Sequence, residues 1–342
     1  MATNNNDKTL NVPHLRFPEF NGEWEKKRIS EFCTLLKGTG ISKDQLSTNG
    51  NPCILYGELY TKYKAEIINE VLSCTELDAN TLVKSKVNDV IIPCSGETAI
   101  DIATARYVPF DDVLLGGDLN ILRSNKVNGS FLAYQLNGKR KYDIARVAQG
   151  VSVVHLYGEH LKNIVISLPV IEEQQKISRL LHLLDERIAT QNKIIEDLKK
   201  LKSAIRKKIF SLLKDEYTKS FEINQLLDYE QPTAYIVAND EYSTDTRLTP
   251  VLTANKGFIL GYTDEKNGIY QKGACIIFDD FTMDAKYVSF PFKVKSSAIK
   301  ILTAKPNVNL RFMFEYLSYW ELKSEEHKRH SLLSRKSGQV GL

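Results

Sequence analysis

The chain has 342 residues, 42% hydrophobic and 26% charged, with a formal net charge of +4. That is room for two ordinary cores plus a connector, in the composition of a folded globular protein. No run approaches the roughly 20 apolar residues that would cross a bilayer, and the polar start Met1–Lys8 lacks the basic-then-apolar pattern of a secretory signal. The five cysteines (Cys33, Cys53, Cys74, Cys94, Cys275) are odd in number and form no Cys-x-x-Cys pair. They read as free, mostly buried thiols of a reducing compartment, and the expected location is cytoplasmic.

In chain order, residues 1–25 read as an extended N-terminal segment. Pro13, Pro18 and Gly22 oppose a helix, and Phe17, Phe20 and Trp24 are candidate anchors onto the next domain. Residues 26–37 mix charge with Ile29, Phe32, Leu35 and Leu36, as a short helix or helix-to-strand lead-in would. The first α/β module spans 26–170. Its β-branched runs predict strands at 53–56, 89–93, 113–115, 119–123 and 164–168. Between them lie the polar loops Gly38-Thr39-Gly40, Ser95-Gly96-Glu97-Thr98, Gly116-Gly117-Asp118 and Gln149-Gly150-Val151-Ser152.

Pro169 closes the module, and Glu172 and Glu173 open a helix with acids where its dipole favours them. The helix is predicted over 171–214. Leu181, Leu184, Ile188, Gln191, Ile195, Leu198, Lys202, Ile205, Ile209 and Leu212 alternate by three and four residues. Eight of the ten are apolar, a sustained heptad seam and hence a coiled coil. Basic residues gather at its far end: Lys199, Lys200, Lys202, Arg206, Lys207 and Lys208.

Residues 215–342 read as a second module, with strands at 235–237, 274–278, 286–294 and 299–303 and a helix at 310–323. The two modules share an order of elements. Val90-Ile91-Ile92 matches Cys275-Ile276-Ile277, residues 119–123 match 299–303, and Phe131–Leu136 matches Phe312–Leu317. The second copy runs only to a loop at 336–342. It is expected to be incomplete at its C-terminal side, without a closing strand or a second long helix. The predicted fold is α+β: two α/β modules joined by a long coiled-coil spacer helix.

No catalytic constellation stands out. There is no Gly-x-x-x-x-Gly-Lys-Ser/Thr loop and no Gly-x-Gly-x-x-Gly after a strand. Asn51-Pro52-Cys53-Ile54 lacks the second proline and the aromatic of an amino-methyltransferase loop. His327 and His330 flank Lys328-Arg329 and read as a basic solvated stretch rather than metal ligands. Asp279, Asp280, Asp284 and Lys286 read as a strand-end loop rather than a nuclease site. A binding surface fits better: Tyr56, Tyr60, Lys62, Tyr63 and Lys64 in the first module, and Thr253, Asn255, Lys256, Tyr262 and Lys266 in the second. Amides and hydroxyls read base edges, while Lys and Arg place phosphates. The candidate DNA-contacting set is Tyr56, Tyr60, Lys62, Lys64, Thr253, Asn255, Lys256 and Tyr262.

These residues resemble the specificity subunits of type I restriction–modification systems. The start His14-Leu15-Arg16-Phe17-Pro18-Glu19-Phe20 with Gly22-Glu23-Trp24 is similar to the family's, as is the lead into the spacer, Leu168-Pro169-Val170-Ile171-Glu172-Glu173-Gln174-Gln175-Lys176-Ile177. Leu183–Ile188 continues that helix. Thr249–Thr253, Phe258–Thr263 and Ile276–Thr282 look like one class of target-recognition domain. The resemblance implies a non-catalytic reader of double-stranded DNA. Each recognition domain contacts one half of a split site, and the spacer docks methyltransferase subunits. S-adenosylmethionine is then expected on those subunits and no cofactor on this chain, with a separate motor subunit for restriction. A second spacer helix is usual in the family. Its absence from this sequence implies either a truncated or recombined form needing dimerisation or another polypeptide, or a seam filled by a second copy, a methyltransferase subunit or a separately encoded helix. A stand-alone DNA-modifying or cleaving enzyme is the alternative of a different class.

Overall fold

The computed structural model describes residues 11–150, 152–216, 220–254, 257–279, 284–319 and 339–341. The chain divides into two compact units, Met1–Asn192 and Lys193–Leu342.

In the first unit, strand Glu25–Arg28 pairs antiparallel with Val165–Leu168 and leads into the one-turn helix Ile29–Phe32. The Glu31 carboxylate accepts the Arg28 N–H at 2.7 Å and satisfies one of the helix's free donors. Strand Thr34–Lys37 comes next and forms the edge of a four-stranded antiparallel sheet. Its order is 34–37, 119–123, 89–93, 106–108. Val90 and Ile92 face one apolar cluster, with Phe131, Leu132 and Leu136 of helix Gly129–Asn137. Ile91 faces a second cluster with Ile54, Leu59 and Ile121. Because side chains alternate across a strand, burial of both faces turns 90–92 into a continuous apolar run. A second sheet has the order 46–47, 73–75, 51–54, 114–115, its last pair parallel.

The second unit repeats this plan. Strand Ser220–Glu222, helix Ile223–Leu226 and strand Leu227–Glu230 succeed one another. Gln225 accepts the Glu222 N–H at 2.8 Å, where Glu31 serves Arg28. The main sheet runs 227–230, 299–304, 275–279, 285–288, strand for strand the order of the first unit. The second sheet runs 259–263, 249–252, 293–294, again with a parallel pair at 249–252 and 293–294. Cys275 and Ile277 enter one core, Ile276 and Phe278 the other. Asn128 and Asn309 cap the matching helices, each accepting the N–H three residues on, from Phe131 and Phe312.

Several expectations are corrected. A closing strand exists in the second unit: Gln339–Gly341 pairs antiparallel with Ser220–Glu222, as Val165–Leu168 does with Glu25–Arg28. Residues 235–237 are not a strand, since Pro232 at a helix N1 position starts the 3-10 turn Pro232–Tyr235. The run 286–294 is two strands, Ala285–Val288 and Lys293–Val294. The last helix is Leu310–Tyr319, with 320–323 outside the described residues.

One helix, Ile171–Glu216, runs from the first unit into the second. At its start Glu173 is fully buried and accepts the Arg16 Nε–H at 2.8 Å, an Arg16 Nη2–H at 2.7 Å and the Trp24 Nε1–H at 3.3 Å. Gln174 accepts the Asn128 N–H, and Asp185 accepts the Tyr134 hydroxyl at 2.6 Å. In the second unit Phe210 is buried against Phe312, Tyr316 and Tyr319, and Glu315 pairs with Arg206 and Lys202. Leu184, Ile188, Ile195, Leu198, Ile205, Ile209 and Leu212 are exposed, and Leu181 is half-buried.

Candidate nucleic-acid interface

Of the described candidates, Tyr56, Tyr60, Lys62 and Lys64 follow the inner strand 51–54 of the first unit's second sheet, Thr253 follows its counterpart 249–252, and Tyr262 lies on strand Ile259–Thr263. In the first unit the connection is the short helix Glu58–Thr61 and the turn beyond it. Its anchor is the buried Glu58 carboxylate. That group accepts the Leu55 N–H at 2.9 Å, the Ser73 hydroxyl and the Lys62 ammonium at 2.6 Å. From the other side the buried Arg106 donates to the Leu59 carbonyl at 3.0 Å and the Tyr63 carbonyl at 2.7 Å. The Tyr63 hydroxyl is buried and accepts the Leu72 N–H.

This frame sorts the predicted residues. Tyr56 and Tyr60 are half-buried, Tyr56 packing against the apolar core beneath the loop, and Lys64 is exposed. Lys62 is exposed but its ammonium is held by Glu58 and Ser73. Tyr63 belongs to the frame. Burial, with Tyr56, Asp101 and Glu97 nearby, raises the Tyr60 phenol, so Tyr60 stays a neutral hydrogen-bonding group.

Around this loop the sheet-edge turns are stitched together. Thr39 N–H donates to Leu115 O at 3.0 Å, Cys94 N–H to Asp118 O at 2.6 Å, and Leu156 N–H to Cys94 O at 2.7 Å. Val154–His155 pairs with Ser95–Gly96. The chains approach closely only because two positions lack a side chain. A Cβ on Gly38 would lie 2.0 Å from Gly116 O, and one on Gly96 would lie 2.5 Å from Ile102 and 3.5 Å from the Tyr60 hydroxyl. So three of the four polar loops singled out in the sequence are joined to one another, with Gly96 beside Tyr60, and Gln149 of the fourth pairs with His155; Val151 lies outside the described residues.

In the second unit Thr253 is buried, and its N–H donates to Phe258 O at 2.8 Å, closing the turn. Asn255 and Lys256 lie outside the described residues. Tyr262 is half-buried, its backbone paired with Ser243. Lys293, which no motif or pattern singled out, is buried, donates to Asn267 O at 2.7 Å and pairs with Glu265 at 2.9 Å. Ile259, Leu260 and Phe290 are exposed beside Phe258, an apolar patch unforeseen from sequence.

Among the described residues no group of three or more His, Cys, Asp or Glu side chains could hold a metal ion, and no helix is long and apolar enough to cross a membrane. All five cysteines are free. Burial pushes the Cys33 and Cys275 thiols up to about 12 and those of Cys53 and Cys94 up to about 11. Thiolate is the reactive form, so native protein treated with iodoacetamide at about pH 8 is expected to label at Cys74 alone, and at all five positions after unfolding. Mass spectrometry of the labelled peptides checks this, and rapid native labelling of Cys33 or Cys275 would contradict the packing.

A family profile described as the type I restriction modification DNA specificity domain matches residues 21–200. The chain belongs to this family. It is 46% identical over 115 residues to the type I restriction enzyme EcoR124I/EcoR124II specificity subunit of Escherichia coli, covering 31% of this chain and 28% of that protein. It is 28% identical over 199 residues to the type I restriction enzyme MjaVIII specificity subunit of Methanocaldococcus jannaschii, covering 58% of this chain and 43% of that one. The aligned stretches thus span less than half of either relative. In fold it is similar to the crystal structure of the type I restriction–modification S subunit from M. genitalium. The TM-score is 0.66 at 17% identity, over 90% of this chain and 79% of that one. An α+β fold with a long helix is present here, and the chain carries this family's specificity domain.

Proposed function

We propose that each unit reads one half of a bipartite site on double-stranded DNA, and that helix Ile171–Glu216 docks methyltransferase subunits. The observation that carries this reading is the repeat. The two units share main-sheet order, a parallel pair and a helix cap, yet differ in the connection after the inner strand: 18 residues, including a short helix, between 54 and 73, against six residues between 252 and 259. A shared frame with divergent loops suits two different half-sites. In this reading the chain is non-catalytic and holds no cofactor. S-adenosylmethionine belongs to the methyltransferase partner, cleavage to a separate motor subunit, and the assembly is cytoplasmic.

The test is DNA binding with footprinting, in complex with the methyltransferase partner. Tyr60→Ala is expected to weaken binding to the first half-site by about 1–3 kcal/mol if the ring reads a base. Lys64→Ala is expected to weaken all DNA about equally and to flatten the salt dependence. Unchanged affinity and preference in both variants would place the interface elsewhere. Methyl transfer from labelled S-adenosylmethionine by the stringently purified chain alone would instead support the stand-alone enzyme.

A further inference from the structure

We propose that the first unit, on the reading that it binds DNA, also grips the duplex backbone through the short basic helix Lys141–Val147 and the turn before it, with Lys139, Lys141 and Arg146 on phosphates and Tyr142 against the backbone between them. Such contacts position a duplex and carry no base preference of their own. From 139 to 146 the chain has four bases and one acid. One residue pins the helix: Ile144 is fully buried in the core, with Ala145 and Val147 packed against the same cluster. At 3.6 residues per turn, Tyr142 and Arg146 share the face opposite Ile144. That face is open. Tyr142 is 70% exposed, more than any other Phe, Tyr or Trp ring among the described residues, and the Arg146 side chain is 77% exposed.

The charges are set for an outside partner. Arg140, largely buried, donates its Nη1–H to Asp143 at 3.0 Å, so the one acid of the run already has a cation of its own. Arg146 lies 3.5 Å from the other Asp143 oxygen and keeps most of its guanidinium in solvent. Lys139 is exposed and Lys141 half-buried, and among the described residues neither ammonium has a carboxylate within ion-pair distance. Lysine and arginine neutralise phosphates, and a tyrosine hydroxyl can donate to a phosphate oxygen. Position agrees. The helix packs on helix Ala99–Ile102, which follows the loop at 95–98. It leads into Gln149 and Gly150 and then to strand Val154–His155, which pairs with Ser95–Gly96 next to Tyr60. Just beyond that strand Tyr157 is 55% exposed, its ring stacked with His155 at 6.2 Å. The basic helix and the Tyr60 loop thus flank one pair of short strands. An acidic protein surface has the same charge, and continuity with the Tyr60 loop favours the duplex.

The test is the salt dependence of duplex binding by the full chain with its methyltransferase partner. Two probes are used, a duplex of arbitrary sequence and the duplex that the parent complex selects from a random pool. Lys139→Ala with Lys141→Ala and Arg146→Ala is expected to weaken both by about tenfold or more at about 0.15 M salt, and to lower the slope of log affinity against log salt by about 2–3. The preference between the two duplexes should not change. Arg146→Ala alone, on the face opposite the core, should lower the slope by about 1. The charge-keeping set Lys139→Arg, Lys141→Arg and Arg146→Lys should retain the parental slope, which a merely structural role would not require. Tyr60→Ala separates this from base reading, since it should reduce the preference and leave the slope. A triple-alanine complex with the parental slope would overturn the phosphate role while base reading by Tyr60 stands or falls on its own variant. A lowered slope beside an unchanged Tyr60→Ala preference would keep the basic helix on DNA and move base reading elsewhere. Weaker capture of the methyltransferase partner with an unchanged DNA slope would make the helix a protein-docking patch and overturn the proposal.

Discussion

Replacing Phe210 by alanine is expected to remove about 3–5 kcal/mol from the stability of the second unit, the usual cost of deleting a buried aromatic ring. Phe210 flanks the exposed seam of the long helix, next to Ile209, and is 7% exposed. Its ring centroid lies 5.5 Å from Phe312, 5.3 Å from Tyr316 and 5.1 Å from Tyr319, edge-on to the first two and stacked on the third. Arg206 and Lys202, one and two turns earlier, hold Glu315 of the same partner helix. Removing the ring therefore loosens the main apolar contact of helix Leu310–Tyr319 with the long helix and leaves the half-buried Arg206–Glu315 pair and the more exposed Lys202–Glu315 pair. Trp24 plays the matching part in the first unit, edge-on to Phe131 at 6.1 Å. Denaturant unfolding followed by unit-specific hydrogen exchange checks the result. Protection should fall in 310–319 and across 275–279 and 299–304, and stay unchanged in 89–93 and 119–123. A loss under about 0.5 kcal/mol would mean the ring cluster contributes only surface contact.

The main sheets and the long helix were legible because their patterns report burial directly. Strands 89–93 and 275–279 are buried on both faces, and an apolar run of that length needs no tertiary information. The seam positions of 181–212 repeat through several heptads. Some short strands, such as 53–56, 113–115 and 164–168, were read close to where they form, at Asn51–Ile54, Leu114–Leu115 and Val165–Leu168, but others were not legible. Glu25-Lys26-Lys27-Arg28 has no apolar residue, and it is a strand only because Val165–Leu168 lies beside it. Tyr235-Ile236-Val237 has strand composition, but Pro232 turns the backbone first and only isolated contacts to Val294 remain. The loops after 51–54 and 249–252 were legible as connections, while the surroundings of single residues were not readable. Lys62 looks free in sequence until Glu58, four residues earlier on the same short helix, is found buried beneath it. Thr253 looks like a loop hydroxyl, yet its turn folds it inward. Charged residues are rarely fully buried, so composition offers no reason to suspect that Glu58, Arg106 and Lys293 are interior supports.

Of those supports Arg106 has the second large expected effect. It is 7% exposed, and among the described residues no carboxylate lies within ion-pair distance of its guanidinium. Its donors go to backbone carbonyls: Leu59 at 3.0 Å, Tyr63 at 2.7 Å and, more weakly, Ala105 at 3.4 Å. Burial lowers the Arg106 pKa, with Glu66 acting in the opposite direction, and arginine's high starting value keeps the group charged. The charge is tolerated because two carbonyl oxygens at the end of the Glu58–Thr61 helix converge on it, where a helix C-terminus favours a cation. Arg106→Met keeps much of the volume but leaves those carbonyls without partners, and is expected to cost about 2–3 kcal/mol. Arg106→Ala adds a cavity and is expected to cost about 3–5 kcal/mol. Arg106→Lys should fall between wild type and Arg106→Met, since one ammonium cannot reproduce the planar fork. The structural loss should be local. The loop carrying Tyr56, Tyr60 and Lys64 would keep its Glu58 anchor and lose the other, so its ordering would become part of the cost of binding. Affinity for the half-site assigned to the first unit should fall by about tenfold or more, with the other half-site still protected in a footprint. Stability and footprint must be read on the same preparation. An Arg106→Met protein as stable as the parent would show that the Glu58 network alone sets the loop. One that is destabilised yet reads both half-sites normally would move the first unit's DNA contacts away from Tyr60 and its neighbours.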